Sequence, residues 1–94
     1  MQALFADDSM IVMGSQIRAA RALLRLTLQD LATASGVSVA TIIRAEKVDG
    51  EPTMTRANLT ALRRALEDAG AVFLPDGGVR PRKPSEARGK GGDA

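Results

Sequence analysis

Apolar residues recur along the chain at intervals of three and four, the spacing that places side chains on one face of a helix. Ile17, Ala20 and Leu24 form the first set, behind Ser15 as N-cap, and predict a helix from Ser15 to about Arg25. Leu28, Leu31 and Ala32 form the second. Thr27 is its N-cap, and Asp30 three residues later completes a capping box with Asp in place of the usual Glu. This helix is predicted to end at Ser35, because Gly36 stands where a helix C-terminus favours a positive φ. Ser38 is a third N-cap and opens a helix over Val39 to Lys47 that buries Ile42 and Ala45. After a loop at Asp49, Gly50 and Pro52 comes the most regular stripe: Leu59, Leu62, Ala65, Leu66 and Ala69, in a helix starting at Thr55 or Asn58. Gly70 closes it. The apolar run Ala71 to Leu74, followed by Pro75, Asp76, Gly77 and Gly78, points to a short strand or small hairpin.

Composition sharpens this picture. A chain of 94 residues supplies one hydrophobic core. Its only aromatic residues are two phenylalanines, so Leu, Ile, Val and Ala must fill that core, a diet that favours packed helices over sheets. The fold class is therefore all-α, four to five short helices with a short C-terminal strand or hairpin. Residues 1–13 read as an N-terminal arm, dispensable if Met10 or Met13 serves as the start, 14–78 as the domain, and 79–94 as a basic disordered tail. The net charge of +2 is uneven: Met1 to Gly78 holds eight basic and nine acidic residues, Val79 to Ala94 five and two. Charge alone does not mark the domain as a nucleic-acid binder, so that case rests on geometry.

The absence of Cys and His removes disulfides, thiolate zinc sites, thiol nucleophiles and imidazole-based mechanisms together. The carboxylates form no pair placed for acid/base work, and the serines have no base beside them. The sequence thus reads as non-enzymatic, with no cofactor and no metal. Met1 to Met13 lacks the pattern of a signal peptide and no apolar run reaches spanning length, so the reading is cytoplasmic, with no membrane partner.

The most informative residues are Leu31, Ala32, Gly36, Val37, Ile42 and Ala45. Two helices crossing over a three-residue turn need a small residue at the contact, a permissive residue at the turn and apolar plugs on the inner faces. These residues meet those needs in order. In IRAARALLRLTLQDLATASGVSVATIIRAEKVDG, followed by NLTALRRALEDAGAVFL, the chain resembles the Cro/C1-type (XRE) helix-turn-helix family. The resemblance spans about Ser15 to Leu74. It implies a lambda-repressor-like bundle, often dimeric, that regulates transcription by placing the helix from Val39 in the major groove of double-stranded DNA.

If Ile42 and Ala45 face inward, then Val39, Ala40, Ile43, Arg44 and Lys47 face outward. The resemblance makes this the base-reading face, deepest in the groove at its N-terminal end. Arg44 is the residue able to bind guanine bidentately, whereas Val39, Ala40 and Ile43 offer apolar contact, most naturally to thymine methyl groups. Ser38 and Thr41 carry hydroxyls for phosphate or base edges. Thr27 and Gln29 sit at a helix start whose amides suit phosphate, and Lys47 and Arg56 extend the phosphate track. Capping is the plainer role of Ser38 and Thr27. The resemblance also implies an ion pair between Arg21 and Glu46 that orients the recognition helix, leaving Arg18 and Arg25 on a solvated face.

The chain departs from the family in two places. Leu28 stands where a phosphate-binding Gln is common, with Gln29 beside it as substitute, and the recognition face is unusually apolar. An exposed apolar stripe also fits a protein contact. The alternative is therefore a helix-turn-helix scaffold acting mainly through RNA polymerase, a toxin or a partner regulator. A short half-site calls for a homodimer, with the last helix and the Ala71 to Leu74 strand as interface. Phe73 is equally an anchor of that interface or a plug of the monomer core. The tail adds sequence-independent affinity through counterion release.

Overall fold

The computed structural model describes residues 11–86 of the chain. Helices α1 (Gly14–Leu23), α2 (Leu28–Ser35), α3 (Val39–Glu46) and α4 (Arg56–Asp68) are followed by strands β1 (Ala71–Phe73) and β2 (Val79–Pro81) and a single 3-10 turn, Pro84–Glu86.

The predicted caps hold at α2 and α3, and α4 starts at the earlier of its two expected positions. The Thr27 hydroxyl accepts from the Asp30 amide at 2.9 Å while the Asp30 carboxylate accepts from the Thr27 amide at 2.9 Å. Ser38 accepts from the Thr41 amide, and Thr55, rather than Asn58, caps α4 by accepting from the Asn58 amide. The first helix departs from expectation at both ends. Its N-cap is Met13, not Ser15, because the Gln16 side-chain oxygen reaches back to accept from the Met13 amide at 2.9 Å. Its last residue is Leu23, since Arg25 adopts a left-handed φ of 59°. There the Arg25 amide donates to Ala22 and the Leu26 amide to Arg21, the double closure of a Schellman motif. A non-glycine residue holds the left-handed position, so no glycine flagged the ending.

The core is assembled from the inward faces of all four helices: Ile17 and Ala20, Leu31, Ile42 and Ala45, Leu62 and Leu66. Val37 joins them from the turn between α2 and α3. Val12, inside the expected arm, is fully buried in the same cluster, so the domain begins before residue 14. The α4 stripe is also narrower than predicted. Ala69 is exposed, whereas Arg63 and Glu67 are 4% and 1% exposed and pair at 3.1 Å. A buried charge is tolerated there because its opposite lies one turn away on the same helix.

The strands form an antiparallel hairpin with Ala71 opposite Pro81, Val72 opposite Arg80 and Phe73 opposite Val79. Phe73 is buried in the core, which decides for its role as a plug of the monomer. Gln16, 2% exposed, ties the hairpin to α1: its side-chain amide donates to the carbonyls of Leu74 at 3.1 Å and Gly78 at 2.9 Å. One amide group thus caps α1 and anchors the turn, which leaves no buried polar atom of Gln16 wanting a partner.

The expected boundary after Gly78 falls inside this hairpin. Arg80 grips the Glu86 carboxylate with two hydrogen bonds, at 2.7 and 2.6 Å, and Arg82 donates to the Glu67 carbonyl at 2.9 Å. Proline and charge point away from packing in the sequence, but paired charges can pack where unpaired ones cannot. Residues 79–86 therefore belong to the domain; the rest of the tail, like residues 1–10 of the arm, lies outside the described residues.

Candidate nucleic-acid interface

The turn between α2 and α3 is three residues long, Gly36, Val37 and Ser38. Gly36 takes φ 77° and ψ 8°, the left-handed conformation that lets the chain leave α2 sharply, and Ser38 at ψ 151° is extended before α3 begins. Ile42 and Ala45 seal the inner side of α3. Its outer side exposes Ala40, Ile43, Arg44 and Lys47, with Val39 and Thr41 half-buried.

Polar groups on this face are partly spent on one another. The Ser38 hydroxyl, having accepted from the Thr41 amide, donates to the Thr41 hydroxyl oxygen at 2.9 Å. Arg44 donates to that same oxygen at 3.2 Å, which folds its guanidinium back towards the N-terminal end of the helix. At the start of α2 the capping box uses the amides of Thr27 and Asp30, and the bonds from Thr27 hold the Asp30 carboxyl below its ordinary range, so an anion already sits there. Gln29 is exposed, with its amide donating to the Thr33 hydroxyl at 3.3 Å. Arg56 is exposed at the first position of α4.

The expected Arg21–Glu46 pair is present and bidentate, Nε to Oε2 at 2.8 Å and Nη2 to Oε1 at 2.9 Å. A third bond runs from Nη1 to the Leu26 carbonyl at 3.0 Å. The hydrogen bond to Glu46 outweighs partial burial and raises the Arg21 pKa above its already high ordinary value. This pair fastens the C-terminal end of α3 to α1.

Arg18 lies on the exposed face expected of it, but is bonded there. It donates to the Glu46 carbonyl and to the Asp49 carboxylate, the latter at 2.9 Å. Gly14 and Ser15 complete the same brace: the Gly14 amide donates to the Gly50 carbonyl at 2.8 Å, and the Ser15 hydroxyl to the Asp49 carbonyl at 3.0 Å. A Cβ on Gly14 would collide with the carbonyl oxygens of Val48 and Ala45, so the two backbones approach only because residue 14 is glycine. Sequence reasoning missed this cluster. Its one signal was the spacing of Arg18 and Arg21, three residues apart and thus on a common helix face.

The sequence pattern that defines the helix-turn-helix family matches residues 17–59, from α1 into the start of α4. Over residues 17–59 the chain is similar to the Cro/C1-type helix-turn-helix family. This is a DNA-binding regulatory family rather than an enzymatic one. No curated protein matches the chain. Among the described residues no helix is long and apolar enough to cross a membrane. The matched region contains every residue of the brace except Gly14 and Ser15, and it stops before the hairpin.

Proposed function

We propose that this protein is a sequence-specific, DNA-binding transcriptional regulator with a lambda-repressor-like bundle, which works in the cytoplasm as a symmetric dimer. The supporting observation is the contrast between the two sides of α3: its inner face and C-terminal end are fastened by Ile42, Ala45 and Glu46, while its outer face carries Arg44 into solvent. Inserted in a major groove, Arg44 binds one guanine, and Val39, Ala40, Ile43 and Thr41 lie against neighbouring base edges. Ser38, Gln29, Lys47 and Arg56 contact phosphates, with Thr27 holding the helix start in place. Because Phe73 is committed to the monomer core, a second copy would meet α4 and the hairpin through other groups.

Selection from a random duplex pool tests this reading. A pseudo-palindromic site is expected, and Arg44→Ala is expected to relax the preference at one base pair per half-site, a loss of about 1–3 kcal/mol in discrimination. An identical profile for both proteins would remove Arg44 from the readout. Ile43 and Val48, 38% and 41% exposed, favour the second reading, a scaffold for a protein partner. Recovery of a stoichiometric protein without any enriched duplex would support it.

A further inference from the structure

Resting on the DNA-binding reading, we propose that α3 identifies its half-site chiefly by the C5-methyl groups of thymines flanking a single guanine. The observation behind this is how little hydrogen-bonding capacity the outer face has left. Ser38 has used its hydroxyl as acceptor from one group and donor to another, and the Thr41 oxygen already accepts two bonds. One lone pair of Ser38, the Thr41 proton and the remaining donors of Arg44 are what this stretch still offers a base edge. Beside Arg44 in the chain lies Ile43, and one turn earlier lies Ala40, both exposed, with Val39 half-buried one turn before Ile43. Val39 and Ala40 open the helix, where penetration into the groove is deepest, and Ile43 continues their aliphatic surface one turn further on. On the major-groove edge the thymine methyl is the one apolar group a base pair presents. An aliphatic surface meeting carbonyl or amino groups instead would strip them of water and return no bond. The guanidinium, folded back along the helix onto Thr41, brings its guanine contact into the same stretch of base pairs.

The test uses the full chain and the duplex obtained by selection. Each thymine of the half-site is replaced in turn by deoxyuridine, which deletes the methyl and leaves base pairing intact. At two or more positions next to the guanine, affinity is expected to fall about fourfold per methyl, the burial of one carbon. Ile43→Ala, at an exposed position, keeps the fold and is expected to abolish the uridine penalty at one of those positions while leaving the others. A selected duplex whose affinity is indifferent to uridine overturns the inference and leaves the DNA-binding reading standing. A uridine penalty that Ile43→Ala does not change at any position overturns it equally. Failure to enrich any duplex removes both.

Discussion

Helix α1 is tied to two parts of the molecule by two different chemistries. Towards α3 it uses charge: Arg21 and Arg18 hold Glu46 and Asp49, and Gly14 lets the backbones close up behind them. Towards the hairpin it uses a neutral amide, Gln16, on the carbonyls of Leu74 and Gly78. The difference lies in what each tie controls. The charged brace sets the direction of the helix with the exposed reading face; the amide clip closes the far end of the core. Two charge-assisted bonds from the rigid fork of a guanidinium to one carboxylate resist rotation of the partner better than two neutral bonds to a turn.

The comparison can be broken most directly at Glu46. Glu46→Ala strands a guanidinium that is 23% exposed, and is expected to cost about 2–4 kcal/mol in urea unfolding and to weaken duplex binding beyond the loss of folded protein. Gln16→Leu deprives the Met13 amide and two carbonyls of their partner. It is expected to cost about 2 kcal/mol by the same measurement, yet to leave the affinity of the folded fraction unchanged. Equal damage to binding from both variants would erase the distinction between the ties. A smaller effect is expected at the end of α1 that serves neither tie: Arg25→Gly relieves a left-handed residue and is expected to raise stability by about 0.5 kcal/mol.

The smallest effect is confined to the hairpin end. Two bonds from Arg80, assisted by the Lys83 amide, lower the Glu86 pKa from 4.5 to about 2. A carboxyl whose pKa is depressed by folding stabilises the fold above its unfolded value and ceases to do so as pH falls through its folded value. Comparing the melting temperatures of the wild type and Glu86→Gln is expected to give a difference that is full above pH 4.5, shrinks on acidification and vanishes below about pH 2. A difference independent of pH would mean that Glu86 acts through shape rather than charge.

Much of this was legible beforehand because it is local. Thr27 with Asp30, Ser38 after Gly36, and the inward Ile42 and Ala45 are short-range patterns, fixed within a helical turn or two. The outward face of α3, with Arg44 on it, follows from the same periodicity. The Arg21–Glu46 pair was legible only through the family resemblance, as its members lie 25 positions apart. Arg18 and Gln16 were missed for that reason: apart from the Asp49 carboxylate, their distant partners are backbone carbonyls 28 to 62 positions away, and a carbonyl carries no signature in the amino-acid alphabet. Arg63 and Glu67 misled the pattern because a pair of opposite charges can occupy apolar positions once each covers the other.

The sequence alone thus determined the helices, the three-residue turn and the choice of side chains offered outward, since caps, glycine and apolar spacing act through near neighbours. Only the tertiary structure decided that Val12 and Phe73 close the core, that Glu86 is part of the domain and that α1 grips both α3 and the hairpin. Those contacts are made between distant segments, and whether a polar side chain finds a partner or remains in water is settled only when the chain has brought them together.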